Sequence, residues 1–186
     1  MWLIVIASMW AKQTRKPGFT IVELLIVIVV IGILAAVTIV AYNGVQAKAR
    51  TSKINADLVN LEKAILGARN AMGDVALRYV TSSTATGANC WNKASGTDLA
   101  ALPTSDSCWT SYFSALNKIS SASGINVNSL VDPWGRPYYI DENEGEGADP
   151  PNACTKDNIG YYAQPFTTAQ TMNKTISIPN IQPACL

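Results

Sequence analysis

Between Phe19 and Tyr42 the chain runs for 24 residues with a single charged side chain, Glu23. At ~1.5 Å per residue, a helix over this run is about 36 Å long, enough to cross the hydrocarbon core of a bilayer. A carboxylate inside such a segment costs ~2.5–3.5 kcal/mol at mid-helix and less near the interface, so acidic residues there tend to mark function. Glu23 lies only a turn inside the run, from where its side chain could also reach the headgroups and serve no purpose. The run reads as a membrane helix that carries one unexplained acid.

Beyond the run the chain changes character. Of the 186 residues, 48% are hydrophobic, and the anchor supplies much of that share. The 113 residues from Asp74 to Leu186 suffice for one modest core, in a domain small enough to gain from cross-links. All four cysteines, Cys90, Cys108, Cys154 and Cys185, fall there, and an even number outside an anchor points to disulfides in an oxidising space. Zinc is the competing use, but the chain has neither a CxxC pair nor any histidine.

Basic residues alone do not orient the anchor, because Lys12, Arg15 and Lys16 before it are matched by Lys48, Arg50 and Lys53 after it. The cysteines do, placing the N-terminus in the cytoplasm and the later domain outside. A chain cut after Gly18 would keep 11 basic and 13 acidic side chains, which indicates no nucleic-acid binding by net charge.

The first eighteen residues do not read as a secretory signal, since the apolar MWLIVIASMWA precedes the basic residues and no small-residue cleavage box comes after the long run. Met9 offers a second start, which would leave the basic leader MWAKQTRKPG. Beyond Tyr42, Ile54, Leu58, Leu61, Ile65, Ala68 and Met72 recur at spacings of four and three, with Lys53, Asp57, Asn60 and Lys63 between them. This is one apolar stripe of a helix laid against a soluble domain, with too few heptads for a coiled-coil seam. The Ser-, Thr-, Gly- and Ala-rich stretch from Thr81 to Ser107 reads as a long loop pinned by covalent bonds. A short helix is expected over Cys108 to Ile119. PYYI (137–140), IGYYAQ (159–164) and TISIPNI (175–181) have the β-branched and aromatic content of three antiparallel strands. The class is α+β, with the long helix packed on a small antiparallel sheet. Its expected parts are a leader (1–18), a membrane and assembly helix (19–42), an amphipathic continuation (43–73) and a disulfide-bonded head (74–186).

The run Gly18-Phe19-Thr20-Ile21-Val22-Glu23, preceded by a basic leader and followed by an unbroken apolar helix, resembles the class III signal of type IV pilins and of type II secretion pseudopilins. The likeness covers roughly residues 12 to 42, and the amphipathic continuation and α+β head extend it. It implies that a membrane prepilin peptidase and methyltransferase cuts between Gly18 and Phe19 on the cytoplasmic side and then methylates the Phe19 amine. Glycine before the cut leaves the scissile backbone unshielded. Pro17 departs from the more usual basic residue and keeps the leader extended. The new α-amine, with an unperturbed pKa of about 7.7–8.0, would give Glu23 the cationic partner it lacks. In the family this glutamate is thought to meet the amine of a neighbouring subunit, so that assembly satisfies a carboxylate that is costly alone in lipid. Identical or related pilin subunits and an inner-membrane assembly platform are the further partners implied. Val40 stands where many such helices carry proline, so an uninterrupted helical ladder is expected.

DPWGRPYYI (132–140) also looks like the segment leading into the sheet of major pseudopilins and related pilins. Physically it is a type I turn with Trp134 free to pack beneath it. The acidic DENEGEGAD (141–149) raises the question of calcium, which some pseudopilins hold, with Asp141, Glu142, Glu144, Glu146 and Asp149 as oxygen donors. Its spacing does not fit an EF-hand, where glycine should stand in place of Glu146, so a solvated turn and no cofactor are expected. Local pairing, Cys90–Cys108 and Cys154–Cys185, is expected among the three possible connectivities. The leading function is a structural filament subunit, with a secretion pseudopilin as alternative. A membrane-anchored extracytoplasmic enzyme or binding module is the third reading, and without histidine, GxSxG or a phosphate loop it lacks an activated nucleophile.

Overall fold

With no proline between Phe19 and Met72, nothing in the sequence breaks the helical ladder, and helix α1 runs from Ile21 to Ala71. The computed structural model describes residues 18–145, 154–162 and 172–181. It divides into two units, Met1–Gln46 and Ala47–Leu186.

In the first unit α1 is apolar on all sides. Its large apolar side chains from Phe19 to Val45 are each at least 48% exposed. This part of the helix is long and apolar enough to cross a membrane.

In the second unit α1 becomes one-sided. Ile54, Leu58, Leu61, Ile65 and Ala68 are buried as the spacing predicts, and Ala64 joins them. Met72 does not, being 47% exposed. The helix has already ended at Ala71, and Gly73, at φ +90°, turns the chain away from the stripe.

This stripe shares one core with Tyr112, Leu116 and Ile119 of α4 (Ser107–Ser123) and with Leu77 and Val80 of α2 (Leu77–Thr81). Tyr138, Ile140, Ile159 and Ile178 complete it. Asp106 caps the start of α4, its carboxylate accepting the Cys108 N–H at 2.8 Å, and Gly124 at φ +72° ends it.

The sheet is an antiparallel meander of β1 (Tyr138–Asp141), β2 (Asn158–Tyr162) and β3 (Met172–Ser177). Tyr139 pairs with Gly160, and Ile159 with Ile176. β3 starts before and ends earlier than the 175–181 stretch, where Pro179 has no N–H to continue a ladder. Residues 163 and 164 of the expected second strand lie outside the described residues. Along β1 the alternation of a strand sends Tyr138 and Ile140 into the main core and Tyr139 into a second cluster with Tyr162, Leu99, Cys90 and Cys108.

The stretch expected as one long loop holds more structure than that, namely α3 (Ala88–Trp91) and a 3-10 turn at Leu99–Ala101. Such short elements owe their existence to tertiary contacts. The Gly87 N–H donates to the Ile140 carbonyl at 2.8 Å, fastening the loop to β1. A Cβ on Gly87 would lie 2.9 Å from that carbonyl oxygen and 2.8 Å from the Trp91 ring, so only glycine allows the approach. Next to it, Cys90 and Cys108 form a disulfide that joins α3 to α4. Cys154 is disulfide-bonded too, while Cys185 lies outside the described residues. Replacing Cys90 and Cys108 together by serine is expected to lower the unfolding free energy by about 3 kcal/mol, through restored loop entropy. Urea denaturation measures this, and an unchanged midpoint would contradict it.

The turn at Asp132 forms as expected, with the Gly135 N–H donating to the Asp132 carbonyl at 2.9 Å. Trp134 does not pack beneath it. Asp132 and Arg136, both buried, fill that space: the carboxylate accepts the Trp134 and Arg136 N–H groups at 2.9 Å and Arg136 Nε at 2.8 Å. The Trp134 ring lies instead at the surface, 37% exposed, with the Arg50 and Arg136 guanidinium groups 5.7 and 4.9 Å from its centroid.

Candidate functional site

Gly18 and Phe19 precede α1, Thr20 is the last residue before it, and Glu23 is its third. The first N–H groups of any helix lack internal acceptors, and in a bilayer no water supplies them. Here the chain supplies its own. The Thr20 N–H and hydroxyl both donate to Glu23 Oε2 at 2.8 Å, and the Glu23 N–H donates back to Thr20 Oγ1 at 3.2 Å. This is a reciprocal capping box. Reading the sequence for charge finds the acid and misses its partner, although Thr-x-x-Glu ahead of an apolar run is the recognised signature.

Phe19 is 84% exposed. Among the described residues a Cβ on Gly18 would meet nothing within 4 Å.

A second polar constellation lies inside the head. Arg69, in the last turn of α1, is 1% exposed. Its Nε donates to the Val75 carbonyl at 3.1 Å, Nη1 to the Pro179 carbonyl at 2.7 Å and Nη2 to Glu144 at 2.5 Å, with Asp157 at 3.9 Å. Glu144 also accepts the Ile181 N–H at 2.6 Å, and Asp157 accepts the Glu144 N–H at 2.8 Å. Glu142 accepts from the Thr86 N–H at 2.6 Å and from the Thr86 hydroxyl.

The described part of the acidic segment, 141–145, is therefore not the solvated turn expected from sequence: Glu142 and Glu144 are both fully buried. Arginine and threonine, from elements far away in sequence, satisfy them. Nor do the three described candidates for calcium converge, since Asp141 accepts from the Tyr139 hydroxyl at 2.6 Å while Glu142 and Glu144 serve these separate partners. Among the described residues no three metal-ligating side chains cluster. Glu146 and Asp149 lie outside those residues.

Burial pushes the Glu142 carboxyl up to about 7, against the lowering effect of Thr86, and pushes Asp157 up to about 6 against the pull of Arg69. Both values exceed the ordinary 4.5 and 3.8, so the folded head holds protons that the unfolded chain has released. This contribution to stability is complete below about pH 4 and is lost as pH rises through 6 and 7. The melting temperature should therefore fall between pH 5 and pH 8, and Glu142→Gln should flatten the profile. Thermal melts across that range check it, and a midpoint that rises steadily with pH would refute it.

The geometry thus defines a class first: an apolar helix, self-capped by threonine and glutamate, that continues into a small α+β head. The prokaryotic N-terminal methylation motif family matches residues 14–39, the segment that carries Gly18, Phe19 and Glu23. The chain is 42% identical to the type IV major alpha-pilin of Moraxella bovis over 46 residues, 25% of this chain and 29% of that protein. It is 41% identical to the type II secretion system core protein G of Klebsiella pneumoniae over 51 residues, 27% of this chain and 36% of the relative. The core protein G of Aeromonas hydrophila is 39% identical over 54 residues, 29% and 38% respectively. The chain thus spans about a third of the length of these relatives, and no solved structure matches it.

Proposed function

We propose that this chain is a structural subunit of a type IV pilus-like filament, cut between Gly18 and Phe19 by prepilin peptidase, methylated on the Phe19 amine and polymerised through α1. The observation that carries this reading is the N-terminal methylation motif, set on a helix whose large apolar side chains from Phe19 to Val45 are each at least 48% exposed. Such a surface needs lipid or other apolar helices, and a filament supplies the second after the membrane has supplied the first. In this reading residues 1–18 are a cytoplasmic leader, 19–42 the membrane and assembly helix, 43–73 its amphipathic continuation and 74–186 the head. The N-terminus faces the cytoplasm and the head faces out, in keeping with the Cys90–Cys108 bond, which needs an oxidising compartment. Its partners would be the peptidase, other pilin subunits and an inner-membrane assembly platform. The role is assembly, not catalysis.

A secretion pseudopilin is the second reading, favoured by the two core protein G relatives. Mass spectrometry of surface-sheared filaments separates the two, since a pilus subunit is their main component and a pseudopilin is absent from them.

Intact-mass analysis of the membrane form tests processing. The expected N-terminus is methylated Phe19, and Gly18→Val is expected to accumulate uncut. Among the described residues a Cβ at Gly18 meets nothing, so the variant leaves the packing of the described head untouched. Normal trimming of that variant, or a different mature end, would overturn the proposal.

A further inference from the structure

The loop between α2 and α3 separates two open grooves. One, of about 200 Å³, is lined by Ser82, Ser83, Ser111, Ser114 and Lys118 over a floor of Thr81 and Thr86. The other, of about 480 Å³, is lined by Arg78, Tyr79, Ser82, Ser83 and Thr84. Ser82 and Ser83 form the wall common to both, and the larger groove alone is within the ~300–1,000 Å³ usual for ligand clefts.

Five features give this surface a defined chemistry. Hydroxyls dominate it, and those of Ser83 and Ser111 each accept one bond, from the Ala85 N–H and from Asn89, so their own protons remain to donate. Two cations flank it. Lys118 is held by the Thr81 carbonyl at 2.5 Å and Arg78 by the Gly145 carbonyl, and among the described residues neither is paired with a carboxylate. Among the described residues no acidic side chain lines either groove. Tyr79 presents a ring that is 60% exposed, with the Arg78 guanidinium 5.9 Å from its centroid. Finally, Ser82 adopts φ +55°, a conformation uncommon for residues other than glycine and asparagine, and its N–H is tied to the Arg78 carbonyl.

We propose that these grooves bind an acidic saccharide. A sugar ring offers what the surface lacks: hydroxyls that pair with serine hydroxyls in either sense, a carbon–hydrogen face for Tyr79, and a uronic carboxylate for Lys118 or Arg78. A peptide would leave most of the hydroxyl wall unused. A nucleic acid would call for a broader cationic track than two side chains provide. The proposal is independent of whether the chain polymerises.

Calorimetric titration of the full chain in non-ionic detergent with polygalacturonate oligosaccharides tests it. Saturable binding is expected. Lys118→Gln should weaken it by about tenfold or more, the loss that accompanies one charge-assisted contact, and Tyr79→Ala by about threefold or more through loss of the stacking face. Lys63→Gln, which removes the same charge outside both grooves, should change it less than about twofold. Three outcomes would overturn the assignment: no saturable binding, an equal loss from Lys63→Gln, or equally tight binding of single-stranded DNA of matched charge. Undiminished binding of a neutral galactose oligomer would also overturn it, because the cations would then play no part.

Discussion

Arg69→Leu is expected to cost the head about 3–5 kcal/mol of stability, a large share of the ~5–15 kcal/mol that holds a typical domain folded. The substitution keeps the apolar stem and removes a guanidinium that serves Val75, Pro179 and Glu144 and faces Asp157, all from a position 1% exposed. The variant is left with a buried Glu144 and no counter-charge beside it. Breaking one half of a buried pair is costlier than removing both. The double variant Arg69→Leu with Glu144→Gln should therefore recover part of the loss, and a urea-denaturation cycle of the four proteins measures the coupling. If the single variant unfolds within about 1 kcal/mol of the unmodified protein, the cluster does not fasten the head.

Glu23→Ala is expected to be inserted and cut normally yet to lower filament yield about tenfold or more, given the expense of unpaired charge in lipid. The capping box complicates that test and also sharpens it. Alanine removes both the charge and the cap, so it cannot tell pairing with an amine from simple fraying of the first turn. Glutamine can. Glu23→Gln keeps an oxygen for Thr20 and discards the charge, whereas Thr20→Val discards the hydroxyl and keeps the charge. If assembly depends on the charge, as the family resemblance implies, glutamine should fail like alanine and Thr20→Val should assemble. Immunoblots of membrane and sheared fractions read the result, and a glutamine variant with normal yield would refute charge pairing.

How much of the molecule is legible in its sequence depends on whether a residue's partner stands near it in the chain. The stripe from Ile54 to Ala68 announces itself because helical periodicity is a local property. The strands at Tyr138 and Asn158 do so through β-branched and aromatic runs between turn residues. Arg69, Glu142 and Glu144 do not, since charged residues default to the surface and nothing local says that an arginine waits 75 positions away. The same holds for α3, four residues long, which exists because Gly87 can touch β1 and Cys90 can reach Cys108. At the anchor the reverse occurs. Both halves of the Thr20–Glu23 box stand in plain view, and the cost of the charge draws attention away from the cap.

A subunit joined to others through α1 would have to bear load, and Arg69 determines where a pull on that helix goes. It sits in the last turn of α1 and grips the 144 loop directly and the segment after β3 through Pro179. Tension drawn along the helix would thus be shared at once between two distant stretches of chain, as at a rivet, before any strand begins to peel. The slack that could run out between Cys90 and Cys108 is locked by their bond. A head held both by this cluster and by the buried Ile54–Ala68 stripe should resist a pull along α1 through both at once, at a force set by the rate of unfolding and not by equilibrium stability.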